Sequence, residues 1–293
     1  MSELANRPVV LDIDRSVGAL PGRLVLPLEH WQEAIRFGCS LAIMRRFSAV
    51  LDELLPAEYG TVFMGSGDFH HLSWPLVARL PADQAFQVVV LDNHPDNMRF
   101  PFGVHCGSWV RKVALLPQVS HVHVLGITSG DIGAGHAWEN YLAPLRRGKL
   151  SYWSIGVDTG WSARLGLAHA FHGFDTADAM VDAFAEAQRT QQAPSYLSID
   201  KDAFAPEVAR TNWDQGQLQV SHALALIDGL RHGLLGSDIN GEVSHYRYRS
   251  WWKRKLSAMD EQPAIDPAQL AGWQAQQHAL NLRLLDAISA RSA

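Results

Sequence analysis

Cysteine is nearly absent from this chain of 293 residues: Cys39 and Cys106 are the only two. Two thiols make no disulfide framework, and neither sits in a C-x-x-C pair that would bind zinc or exchange electrons. The scarcity fits a reducing compartment, and a cytoplasmic location is expected. A basic excess is also lacking, with 25 Lys and Arg against 30 Asp and Glu and a formal charge of −5. A nucleic-acid binder needs a basic face to displace counterions, so no nucleic-acid partner is expected. No uninterrupted apolar run approaches the ~18 residues of a membrane span. The first fifteen residues, which include Glu3, Asp12 and Asp14, hold no signal-peptide core. No membrane partner is expected either. There is no Ser/Gly tract, charge block or fixed-period repeat to mark a linker or an array. Length alone, at ~150 residues per domain, would allow two domains. The missing linker favours one, spanning residues 1–293.

Apolar residues, in contrast, make up 47% of the chain, ample for a sizeable core, and histidine is abundant at fourteen. The apolar residues fall into short β-branched runs followed by longer amphipathic stretches. Strands are predicted at 8–14, 61–66, 87–93, 121–127, 152–158, 195–200 and 234–241, and helices at 28–55, 74–80, 137–147, 176–190, 215–232 and 266–290. Asp266 followed by Pro267 is a helix-start signal. Strands alternating with helices imply βαβ units and a mainly parallel central sheet, here of about eight strands. Runs such as VVVL are too apolar for a sheet that is wet on one side.

In open α/β sheets, ligands bind beyond the carboxyl ends of the strands. Those ends are rich in acids and histidines. TVFMGSGDFHH ends in Asp68, His70 and His71, and QVVVLDNHPDN in Asp92, His94 and Asp96. SYLSIDKD ends in Asp200 and Asp202, and LLGSDINGE in Asp238 and Glu242. While the backbone stays extended, residues i, i+2 and i+4 point to one side. Asp92, His94 and Asp96 therefore offer two carboxylates and an imidazole together, and Asp200 with Asp202 repeats the geometry. Acids converging on adjacent strand ends repel one another and are costly to desolvate without a cation. One divalent metal ion, or two, removes that cost, and a majority of hard carboxylate oxygens suits manganese or a similar ion. Singly, each feature is an ordinary turn or cap; it is their joint occurrence that points to a metal centre.

These motifs, in this order, resemble the ureohydrolase (arginase/agmatinase) superfamily. GSGDFHHLS is similar to its GGDHS-like turn, LDNHPDN to DAHxD, GVHCGS to its H-G segment, and SIDKDAFAP to SxDxDxxDP. The resemblance covers about residues 60 to 243 and implies a three-layer α/β/α arginase-like fold. It also implies two Mn2+ ions. His70, Asp92, Asp96 and Asp200 would hold one, and His94, Asp92, Asp200 and Asp202 the other, with Asp92 and Asp200 bridging. The implied reaction is hydrolysis of a C–N bond in a guanidino- or amidino-type small molecule by a metal-bridging hydroxide. His105 matches a family histidine that moves a proton to the leaving amine, and Glu242 the acid that grips the guanidinium. A homo-oligomer, trimer or hexamer, is implied as well. There are departures. Phe69 is an extra residue, so either His70 or His71 is the first ligand. Ala205-Pro206 replaces the family Asp-Pro, and EVARTNWDQG stands where a Gly- and Pro-rich substrate loop belongs, which leaves the substrate open. Two other readings remain: a single-metal deacylase of the related deacetylase type, and a non-catalytic, metal-stabilised binding protein.

Overall fold

Short β-branched runs, each followed by an amphipathic stretch, set the frame. The computed structural model describes residues 7–251, 253–255 and 265–291. Its strands are β1 (Val9–Asp12), β2 (Leu24–Pro27), β3 (Gly38–Cys39), β4 (Val62–Phe63), β5 (Phe86–Leu91), β6 (Val104–His105), β7 (Val119–Ile127), β8 (Leu150–Ile155), β9 (Phe171–Phe174), β10 (Ser195–Asp200) and β11 (Leu234–Asn240). Nine of them form one sheet in the order β2-β1-β4-β11-β10-β5-β7-β8-β9. Every pairing in it is parallel. β3 and β6 make a separate antiparallel pair.

Successive side chains of a strand point to opposite faces, and both faces are covered. Val88 and Val90 join one apolar layer with Met44, Phe47 and Leu51 of the helix Leu41–Leu54. Val89 and Leu91 join the other, with Phe184 of the helix Ala177–Gln188, Leu226 of Val220–Gly229 and Leu284 of Pro267–Ser289. Each such side chain contributes on the order of 1.5–3 kcal/mol by leaving water. The result is a three-layer α/β/α fold. Asp266 accepts from the Ala268 amide at 2.9 Å and caps the last helix, as its sequence signals. Among the described residues no helix is long and apolar enough to cross a membrane.

The strands at both sheet edges escape the sequence pattern: β2 and β9 have four residues each and little alternation. The helix predicted over 28–55 is broken. It ends at Ile35, Phe37 takes a left-handed φ of 67°, and a new helix starts at Leu41 with Ser40 capping the Ile43 amide at 3.3 Å. Gly38 sits in the break because β3 lies against β6, where a Cβ would come within 2.6 Å of the His105 Cβ. That close pairing sets Phe37 beside His105 at the carboxyl end of the sheet.

Candidate metal centre

β10 pairs with β5 in the register Ile199↔Leu91, so the residues that follow, Asp200 and Asp92, emerge side by side. Gly67 to Leu72 form a 3-10 turn after β4 that brings His70 over them. His70 Nδ1 lies 2.9 Å from Asp96 Oδ2, 3.2 Å from Asp92 Oδ2 and 3.4 Å from Asp200 Oδ2. His94 Nδ1 lies 2.9 Å from Asp202 Oδ2 and 3.6 Å from Asp92 Oδ1. Two groups with metal-ligand spacing result, His70–Asp92–Asp96 and Asp92–His94–Asp202, and Asp92 belongs to both. Asp96 turns inward at a left-handed φ of 44°, which Asp tolerates better than most residues. The fully buried Trp109 donates its indole N–H to Asp96 Oδ2 at 2.6 Å and fixes the carboxylate. Gly241, at φ +88°, leaves room for Asp200: a Cβ there would stand 2.5 Å from Asp200 Oδ1.

The imidazoles are oriented from behind. Ser198 Oγ donates to Asp238 Oδ1 at 2.7 Å, so it must accept from His70 Nε2 at 2.9 Å. Asp214 Oδ1 lies 2.8 Å from His94 Nε2 and, as a carboxylate, only accepts. Both rings thus hold a proton on Nε2 and turn Nδ1 toward the carboxylates. Burial would lower His70 and His94, but their carboxylate neighbours, Asp92 and Asp96 for one and Asp202 for the other, raise both well above the usual histidine value. Burial and the Asp92 charge push Asp96 and Asp202 up to about 7, and burial with Asp202 raises Asp200 well above the carboxylate range. Asp92 Oδ2 is buried and accepts no well-aligned hydrogen bond. An orphaned carboxylate oxygen, like charges held together out of water, and two inward Nδ1 atoms fit a divalent cation. Oxygen donors in the majority favour a Mn-like ion over a thiolate-loving one.

The cluster forms the floor of a cavity of about 570 Å³. Phe37, Phe100 and Trp213 make aromatic walls, Asp131, Glu139, His136 and Asp214 stand around them, and none of the described lining residues is Lys or Arg. His105 also lines it. Its Nδ1 accepts the Gly107 N–H at 3.0 Å, its ring stacks on Phe37 at 5.9 Å, and burial pushes its pKa down to about 4. The ring is therefore neutral at pH 7, with its proton on Nε2. His71, the other candidate first ligand, lies fully buried with neither nitrogen hydrogen-bonded, and it is absent from both groups.

Glu242 does not line the cavity. Its Oε1 is 2.6 Å from Lys201 Nζ and accepts the Asn281 amide at 2.6 Å. This corrects the expectation that it grips substrate. Lys201 opens the 3-10 turn Lys201–Ala203, its side chain leaves Asp200 and Asp202 for the interior, and the buried ammonium takes Glu242 as its counter-charge. Sequence reasoning also missed the role of Asp214. It lies in EVARTNWDQG, the irregular segment that departs from the ureohydrolase pattern, and no motif marks it.

Comparison with known proteins agrees with this architecture. An uncharacterized protein of Thermotoga maritima is 27% identical over 211 residues, 71% of this chain and 67% of that relative. A hypothetical agmatinase from Burkholderia thailandensis superposes with a TM-score of 0.51 at 16% identity, covering 96% of this chain and 86% of the other. A formiminoglutamase from Trypanosoma cruzi, solved with Mn2+, gives a TM-score of 0.51 at 13% identity, covering 85% and 72%. The chain spans 66% of the length of an agmatine ureohydrolase from Thermoplasma volcanium. At these identities the structures speak for the fold alone. The Arginase family model, however, matches residues 22–244, the stretch that runs from β2 through every carboxylate and imidazole of the cluster. The chain belongs to the arginase family.

Proposed function

We propose that this chain is a binuclear-metal hydrolase that cleaves a C–N bond in a small, cationic guanidino- or amidino-type compound. The observation that carries this reading is the sharing of Asp92 between two metal-ligand groups on the floor of a cavity lined by carboxylates. His70, Asp92, Asp96 and Asp200 would hold one ion, and Asp92, His94, Asp200 and Asp202 the other. Manganese is the ion proposed, in keeping with the oxygen-rich donor set and with the Mn2+ of the trypanosomal formiminoglutamase. When bound, two such ions supply Lewis acidity that makes a nucleophile of water at neutral pH.

The chain's own residues do the rest. Asp131, Glu139 and Asp214 favour a cation in the cavity, and the rings of Phe37, Phe100 and Trp213 along its walls exclude water from it. His105 holds its proton at Nε2 while the Gly107 amide occupies Nδ1, so it serves as a neutral hydrogen-bond donor to the departing nitrogen. A single-metal deacylase would leave one of the two ligand groups without a role.

The test is release of urea, ammonia or formamide from a panel of guanidino and formimino compounds with Mn2+ present. Turnover of at least one cationic member, abolished by chelation and restored by Mn2+, is expected. Two ions bound with no turnover across the panel would favour a metal-stabilised binding protein instead.

A further inference from the structure

The two imidazoles are supported from behind by different chemistry. Behind His70 stands a buried hydroxyl, Ser198, and behind that the fully buried Asp238, which also accepts from Tyr196 at 2.6 Å and Ser73 at 3.1 Å. Behind His94 stands a charged carboxylate, Asp214, whose side chain is 66% exposed. Asp214 is carried by no strand or helix. It lies between β10 and the helix Val220–Gly229, where the sequence departs from its family's pattern.

Asn93 holds that segment in place. This residue, 0% exposed, lies between the ligands Asp92 and His94. Its Nδ2 donates to Asp214 Oδ2 at 3.0 Å and to the Asp214 carbonyl at 3.2 Å. Its backbone N–H donates to Asp202 Oδ1 at 3.1 Å, and its Oδ1 accepts from Thr128 N at 3.1 Å and Oγ1 at 2.6 Å. One saturated amide therefore ties β5, the turn after β7, the end of β10 and Asp214 into a unit. Trp213 sets its ring edge-on to His94, 6.0 Å between centroids.

We propose that Asp214 is a positioning residue for one ion only: it fixes the His94 ring and raises the basicity of Nδ1, so the ion on the His94 side depends on Asp214 and the ion on the His70 side does not. The proposal rests on the two-ion reading above. A carboxylate behind a ligating imidazole typically contributes about 10–100-fold in metal affinity, and here that contribution comes from a solvent-facing segment.

Mn2+ titration of the full chain, wild type, Asp214→Asn and Asp214→Ala, followed by calorimetry and electron paramagnetic resonance, tests it. The side chain is mostly exposed and Asn is isosteric, so both variants are expected to fold, checked by circular dichroism. In Asp214→Ala the first equivalent of Mn2+ should bind as in wild type and the second about 10–100-fold more weakly, with a smaller loss in Asp214→Asn. At two equivalents the spin-coupled pair signal should give way to that of isolated Mn2+, and return with excess metal. Unchanged binding of both equivalents, or equal weakening of both, overturns the proposal while leaving the function intact. Fewer than two equivalents in the wild-type protein overturns both.

Discussion

Glu242 and Lys201 show how one residue's role follows from its neighbour's burial. Lys201 is fully buried, and a lone ammonium there would be costly, so its 2.6 Å contact with Glu242 is a structural necessity. Removing one partner of a buried pair typically costs about 3–5 kcal/mol. Glu242→Gln is expected to lower the melting temperature markedly while leaving metal content intact, as read by thermal denaturation and elemental analysis. An unchanged melting temperature with lost turnover would return Glu242 to the substrate. The sequence offers Glu242 to substrate through its place after the last strand. It hides the competing claim because nothing local says which way the side chain of Lys201 points. Asp92, His94, Asp96, Asp200 and Asp202 are legible for the opposite reason. Their i, i+2 spacing after β5 and β10 marks them, and the register of those strands sets Asp92 beside Asp200, while the left-handed turn at Asp96 and the 3-10 turn Lys201–Ala203 complete the cluster.

At the scale of elements, regular strands and long amphipathic helices could be read from period, and the turns that carry the chemistry could not. The break at Phe37–Gly38 is invisible in a run that reads as helix, because its cause is a partner strand some 65 residues away, β6. Likewise His70 was separated from His71 only by the 3-10 turn Gly67–Leu72, which sends the two rings to different places. These turns bring ionisable groups into contact, and that has a pH consequence. Asp96 and Asp202 are pushed up to about 7, and His70 and His94 are raised above their ordinary value. Stability contributed by these protons is present below the unfolded-state values and is lost as pH rises through the folded-state ones. A cation must displace the same protons, so it binds more tightly as they leave. The rise in melting temperature on adding a fixed excess of Mn2+ should therefore be larger at pH 8 than at pH 6. Equal shifts at both pH values would mean that these groups do not take up the ion.

For the whole molecule, the parallel α/β class is legible because strands buried on both faces must be largely apolar, as β5 is: all six of its positions are buried and only Gln87 is polar. The edge strands β2 and β9 are not legible, being short and half solvated. What the sheet does is set four strand ends, β4, β11, β10 and β5, next to one another, so that carboxylates and imidazoles far apart in sequence share one floor. This floor is proposed to hold two ions with Asp92 between them. Elemental analysis after gel filtration with Mn2+, on the wild-type chain and on Asp92→Ala, tests it most directly. Two ions per wild-type chain and none in Asp92→Ala is the expected result. One ion per wild-type chain, or one ion retained by Asp92→Ala, would contradict it.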